Sequence, residues 1–265
     1  MRQSFAVVLP FFNEERFLPE TLASLAAQSR APDRMVLVDN ASTDASPQIA
    51  RDFAAANPRL CVELRRESRP GKASALALGL AGVRDGLVAT CDADTYYPPT
   101  YLARAEALFS AGADVEAVLA FGVPSADERR TRALRAKGAL MSALAPRQTH
   151  AGGYGQSFRA EALHRAGGFS PEQWPFCLMD HEIMHRIVRQ GGRLAYDAGH
   201  WCVPSARRGD RRRVRWTLAE RLLYHVVPLS RRDWFFYDFL APRFERRKLG
   251  ELALRDQPWN ARRAR

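Results

Sequence analysis

The chain has 265 residues, 46% hydrophobic and 26% charged, a size and composition that suit one large globular domain, alone or with an appendage. It contains no internal repeat and no low-complexity tract, and the lack of any run of about 18 apolar residues argues against a spanning helix. The formal charge of +11 is uneven: residues 1–200 carry 23 Lys+Arg and 22 Asp+Glu, a net of +1, whereas residues 201–265 carry 17 and 7, a net of +10.

The start, Met1 to Phe5, leads straight into a strand pattern and lacks a signal-peptide core. Residues 5–9 are predicted as a strand and 15–28 as a helix with Phe17, Leu18, Leu22 and Leu25 on one face. Strands at 35–38, 60–64 and 87–91 then alternate with helices at 46–57, 73–80 and 101–111, and an apolar run fills 115–121. Short βα units of this kind imply an α/β fold, a mostly parallel sheet with helices on both faces. Ligands of such sheets bind at the carboxyl ends of the strands. Cys61, Cys91, Cys177 and Cys202 lack paired spacing, which fits reduced thiols in the cytoplasm better than a disulfide framework or zinc ribbon.

The polar residues after each strand are therefore the ones to inspect. The first strand ends in Pro10-Phe11-Phe12-Asn13-Glu14-Glu15 and the second in Asp39-Asn40-Ala41-Ser42-Thr43-Asp44. Arg69-Pro70-Gly71-Lys72 follows the third, and Asp92-Ala93-Asp94 follows the fourth. A strand alternates its side chains, so Asp92 and Asp94 are expected to point to the same side and converge on one target. Paired carboxylates there suit a divalent cation carrying phosphate oxygens, although Asp also favours plain turns. Capping accounts for any one of these groups: Ser46 or Asp44 for the second helix, Glu14 or Glu15 for the dipole of the first. Four such coincidences at four consecutive strand ends are a poor account of the set.

With Gly152-Gly153-Tyr154-Gly155-Gln156, Gly167-Gly168-Phe169 and Met179-Asp180-His181-Glu182 following in order, the chain resembles family-2 glycosyltransferases of the GT-A fold. The resemblance implies a catalytic domain over 1–205, with a nucleotide-sugar half at 1–120 and an acceptor half at 121–205, then a basic, partly helical extension at 206–265. It implies that Pro10 and Glu14 contact the nucleoside with Phe11 beside them, and that Asp39 meets the base. Gly71 and Lys72 then lie by the nucleotide, Asp92 near the ribose or sugar, and Asp94 on Mg²⁺ or Mn²⁺. The implied reaction moves a sugar from a nucleotide-diphosphate sugar to an acceptor hydroxyl with inversion, a carboxylate serving as base.

Asp180 is the expected base, opening a helix predicted at 181–190; the family usually has Glu-Asp where this chain has Met179-Asp180, and Glu182 is the second candidate. A plain N-cap is the structural alternative for Asp180. Tyr154, Gln156 and His181 are expected at the acceptor, be it a glycan, a lipid-linked sugar or a small molecule. Trp174 is either an apolar platform for a sugar face or a core anchor. His181-Glu182-Ile183-Met184-His185 also satisfies the zinc-peptidase pattern, an alternative that leaves the strand-end carboxylates unexplained.

Family members often place a metal-binding histidine near position 200; His200 is left unassigned, and Arg207 and Arg208 are expected to meet the diphosphate. The basic tail, with Trp216, Leu218, Leu222 and Trp234 among its arginines, either lies on an anionic membrane or docks on the domain. A non-catalytic basic module binding membrane or nucleic acid is the other reading, with nucleic acid the poorer fit because the cleft carboxylates would repel it. The expected location is the cytoplasm, with contact to the inner membrane face.

Overall fold

The computed structural model describes residues 3–144, 148–150, 152–206, 216–250 and 252. In chain order the strands are β1 Phe5–Phe11, β2 Arg34–Asp39, β3 Val62–Arg66, β4 Leu87–Cys91, β5 Thr95–Tyr96, β6 Val115–Leu119, β7 Phe121–Gly122, β8 Gly155–Arg159, β9 Arg193–Ala195 and β10 Trp201–Pro204. The helices are α1 Leu18–Ala26, α2 Ser46–Ala56, α3 Lys72–Leu80, α4 Tyr101–Ser110, α5 Glu128–Leu144, α6 Ala160–Arg165, α7 Met179–Arg189, α8 Leu218–Val226 and α9 Ala241–Arg246, with a π-helical segment at Trp234–Leu240.

Seven strands form the central sheet in the order β3-β2-β1-β4-β8-β6-β9. Only β8 runs antiparallel to its neighbours; the other pairings in this sheet are parallel. The central strands are almost wholly apolar because both faces are covered. On β1, Phe5, Val7, Leu9 and Phe11 face a core closed by α1, α2 and α4, while Ala6 and Val8 face a second core with α3, α6 and α7. The mostly parallel sheet with flanking helices matches the expected GT-A arrangement. A small second sheet, β5-β10-β7, stands beside it.

The structure adds one strand to the sequence reading and decides between two alternatives for part of the tail. The glycine-rich segment runs into β8, a central buried strand that is not among the predicted ones. Gly155 serves packing there, since a Cβ would lie 2.9 Å from Ala120 Cβ and 3.2 Å from Cys202 Sγ. The C-terminal segment also forms a third core, in which Phe235, Phe236, Leu240 and Phe244 close on Trp174. That part of the tail docks on the domain. Among the described residues, no helix is long and apolar enough to cross a membrane.

Candidate active site

The carboxyl ends of β1 and β2 are stitched into one rim. Asn13 N–H donates to Ser42 Oγ at 3.1 Å, and Thr43 N–H donates to Asn13 Oδ1 at 2.8 Å. Glu14 N–H reaches Ser46 Oγ at 2.7 Å, and Glu15 N–H reaches Asp44 Oδ2 at 3.1 Å. The Ser46 hydroxyl thus serves the neighbouring loop, and Ala45 at the N-cap of α2 provides no side-chain cap. Asp39 Oδ1 accepts the Ser42 N–H at 2.8 Å. Asn40 ties this rim to the next loop, donating to the Arg69 carbonyl at 2.7 Å and accepting the Gly71 N–H at 2.9 Å. Gly71 has φ 125°, which a Cβ would strain, and it hands the chain to α3 with Lys72 at its first turn.

Lys72 Nζ pairs with Asp92 Oδ1 and lies 3.4 Å from the Gly153 carbonyl. Asp92 and Asp94 sit in the turn between β4 and β5, beyond the strand, so strand alternation does not govern them. They serve different partners: Asp94, 4% exposed, accepts the Ser205 hydroxyl at 2.8 Å from the end of β10. Thr21 of α1 pins the turn, donating to the Ala93 carbonyl at 3.0 Å and accepting the Thr95 N–H at 3.2 Å. Tyr97 bridges the two halves of the site, its hydroxyl accepting the Asp92 N–H at 2.8 Å and donating to the Tyr154 carbonyl at 2.6 Å. Burial, first among its causes, holds that hydroxyl's pKa well above the usual tyrosine range, so it stays a proton donor. Among the described residues no group of three His, Cys, Asp or Glu side chains stands ready for a metal. A single buried carboxylate with a hydroxyl beside it fits a hard cation that arrives with phosphate oxygens and keeps waters, and does not fit an all-protein cage.

The second-half carboxylate comes to the same place. Leu178, just before α7, has φ 68° and ψ 26°, the left-handed region that a branched side chain avoids. Its carbonyl accepts from His181 N–H at 3.0 Å and Glu182 N–H at 3.1 Å, so the strained residue aims the helix start. Asp180 is consequently inside the first turn, and the N-cap position belongs to Leu178. It packs on Gly153, where an added Cβ would lie 3.0 Å from Asp180 Cβ, and its carbonyl accepts the Gln156 amide at 3.1 Å. His181 Nδ1 lies 3.3 Å from Asp180 Oδ1. Gly153 thus has Lys72 and Asp92 to one side and Asp180 to the other.

Several expected contacts are corrected. Trp174 is 2% exposed and donates its indole N–H to the Cys177 carbonyl at 2.9 Å, so it is a core anchor and not a platform. Gln156 is 1% exposed and spends its amide on the Asp180 carbonyl, so it braces the start of α7 and is not an acceptor contact. The Phe11 ring belongs to the core beneath the sheet, leaving its carbonyl, which accepts the Asn40 N–H at 2.9 Å, as its part in the rim. Glu182, 1% exposed, accepts two bonds from Arg186 at 2.8 Å and one from Tyr237 at 2.6 Å, so it is a structural anion. The zinc-peptidase pattern fails on the same grounds, because His185 Nε2 is 2.7 Å from Asp233 and its ring stacks on Phe236. His200 is wholly buried and stacks on Tyr101 at 4.7 Å, away from any exposed ligand position. Pro10 is buried on β1 and the half-buried Tyr154 packs against the core beneath the sheet, whereas Arg207 and Arg208 lie outside the described residues. Thr21, Asn40, Tyr97 and Ser205 were assigned no role from the sequence; only Asn40 carried a signal, as part of the second strand-end motif.

Comparison with known proteins agrees with this geometry. The family model described as glycosyl transferase family 2 matches residues 6–167. Over 115 residues the chain is 36% identical to an undecaprenyl-phosphate 4-deoxy-4-formamido-L-arabinose transferase of Pseudomonas fluorescens, a match spanning 42% of this chain and 33% of that protein. The related transferase of Aeromonas hydrophila is 32% identical over 113 residues, 42% of this chain and 35% of that protein. The chain thus spans about a third of the length of the curated relatives it matches. A mannosyltransferase of Pyrobaculum calidifontis, solved with GDP-Man and Mn²⁺, superposes with a TM-score of 0.67 at 26% identity over 90% of this chain and 70% of that one. TarS of S. aureus shares the fold at 18% identity, with a TM-score of 0.60 over 96% of this chain and 75% of that one. The match to the family model over residues 6–167, more than half of the chain, establishes that the chain belongs to glycosyltransferase family 2.

Proposed function

We propose that the chain transfers a sugar from a nucleotide-diphosphate sugar to an acceptor hydroxyl, inverting the anomeric centre. The observation that carries this reading is the position of Gly153, between the Lys72–Asp92 pair and Asp180. Donor-side charges and a second-half carboxylate meet there at one rim, as a single displacement requires. Asp39 and the Gly71 turn hold the nucleoside end, and Lys72 lends positive charge near the phosphates. A divalent ion held through Asp94, Mg²⁺ or Mn²⁺, would supply further positive charge to the departing diphosphate. The Pyrobaculum mannosyltransferase carries Mn²⁺ together with its nucleotide sugar, which favours this pairing.

Asp180 takes the proton of the acceptor hydroxyl as that oxygen attacks from the face opposite the leaving group. The name of the Pseudomonas relative favours a lipid-linked acceptor. A lipid-linked acceptor in turn favours action at the cytoplasmic face of a membrane.

Melting curves with a panel of nucleotide sugars, with and without Mn²⁺, test the donor half, because a ligand bound only by the folded state raises the melting point. Asp94→Ala should abolish the Mn²⁺-dependent rise. Asp180→Asn should keep the rise while kcat falls by about a hundredfold or more, the scale of lost general-base catalysis. Near-normal turnover in Asp180→Asn removes the base, and an unchanged rise in Asp94→Ala removes the metal.

A further inference from the structure

Helix α5 is amphipathic in the reverse sense. Its inward side is small and polar: Thr131 and Ser142 are buried, and Gly138 admits Phe121, whose Cε1 would be 2.6 Å from an added Cβ. Its outward side carries Leu134, Leu140, Met141 and Leu144, which are 41–72% exposed. A helix that turns its apolar side outward has a partner there, because such patches are rare on free surfaces. α8 repeats the pattern, with Leu218, Leu222 and Val226 exposed one turn apart while Glu220 and Tyr224 are buried. Of the large apolar side chains exposed among the described residues, all but Leu64 lie on α5, α8 or the chain after α8.

The two helices are linked. Gln148, four residues beyond the end of α5, donates to the His225 carbonyl at 3.1 Å, and its Oε1 lies 2.6 Å from His225 Nδ1. Thr149 N–H donates to the Tyr224 hydroxyl at 3.1 Å. Both helices carry exposed positive charge: Arg132 and Lys137 on α5 and Arg221 on α8. A second copy of the chain would bring like charge to this face, and a nucleic acid would leave the leucines uncovered. A bilayer with anionic headgroups satisfies both features at once. The face also borders the base: the Trp216 ring, just ahead of α8, is 5.5 Å from that of His181, the neighbour of Asp180.

We propose that the outward faces of α5 and α8 lie on an anionic bilayer, which delivers a membrane-borne acceptor to Asp180. Delivery rests on the glycosyl-transfer reading above; docking does not. The full chain is sedimented with vesicles of equimolar phosphatidylcholine and phosphatidylglycerol, and with phosphatidylcholine alone. Two double variants, Leu140→Glu with Leu144→Glu and Leu222→Glu with Val226→Glu, change only outward positions, and their melting points verify folding. The wild type should pellet with the anionic vesicles, less so at high salt. Each double variant should partition about tenfold less or weaker still, given the apolar area removed. The nucleotide-sugar-induced rise in melting point should be the same in all three proteins.

Equal pelleting with both vesicle types, or variants that pellet like the wild type, overturns docking. So does a concentration-dependent dimer that the same substitutions dissolve, which would make the face a self-interface. If vesicle binding follows the expected pattern but no nucleotide sugar shifts melting, docking stands and the glycosyl-transfer reading falls.

Discussion

On α7 two carboxylates two residues apart meet opposite surroundings. Asp180 lies at the helix start against Gly153 and beside His181, within reach of the rim. Glu182 is enclosed by Arg186 and Tyr237. Removing one partner of a buried, fully bonded ion pair leaves an uncompensated charge and costs about 3 kcal/mol or more. Glu182→Gln should therefore lower the melting point markedly while kcat per folded molecule stays close to normal, readable from melting curves and active-site titration. A Glu182→Gln protein with normal melting and collapsed turnover would reverse the two assignments. Gly153 offers a complementary test, because a methyl group there crowds Asp180 Cβ at 3.0 Å. Gly153→Ala should displace the base by a fraction of an ångström and cut kcat about tenfold or more, with donor binding retained. Steady-state kinetics beside donor titration separates the two effects, and an unchanged kcat would show that the position of Asp180 is not critical.

At the level of elements, the site is held by bonds between distant parts of the chain. Thr21 on α1 is the clearest: one hydroxyl receives the Thr95 N–H and serves the Ala93 carbonyl, closing the turn that bears Asp92 and Asp94. Thr21→Val keeps the shape and removes both bonds, leaving buried main-chain groups without them at a cost of about 1–3 kcal/mol. The expected result is a lower melting point together with a higher donor KM; a KM equal to wild type would mean that the turn is held by other contacts. The Asp92–Asp94 motif itself was legible, because an uninterrupted apolar run fixes where a buried strand stops and which polar groups follow it. Thr21 was not, since its partners are more than 70 positions away and the buried face of its helix is mostly leucine. β8 escaped detection for a related reason: Gly155, which lets it pack against Ala120 and Cys202, and the buried polar pair Gln156 and Ser157 erase the alternation that marks a strand. Trp174 stayed undecided because an aromatic residue in a loop carries no signal of which side it faces, and the cluster that buries it comes from residues 224–249.

Across the whole molecule, the interior beneath the rim is kept neutral. Burial pushes the Cys91 thiol up to about 12 and the Tyr97 and Tyr101 hydroxyls well above their usual range. His200 belongs to this layer; burial, aided by the charge of Arg104, pushes its imidazole down to about 3 from an ordinary 6.5. The unfolded chain therefore takes up this proton near pH 6.5, while the folded chain resists it until far lower pH. Between these limits the unfolded state binds more protons, so stability falls as pH falls, by about 1.4 kcal/mol per pH unit for this one group. Above about pH 6.5 the contribution of His200 is fully present and flat. Carboxylates elsewhere add their own acid sensitivity, so the informative quantity is a difference between two proteins. His200→Phe preserves a ring against Tyr101 and removes only the titrating group. Relative to wild type, its stability should drop about 2 kcal/mol less between pH 6.5 and 5, measured by urea unfolding at a series of pH values. Parallel pH profiles for the two proteins would mean that His200 is protonated, or reached by water, in the folded state, and the neutral layer under the rim would have to be redrawn around it.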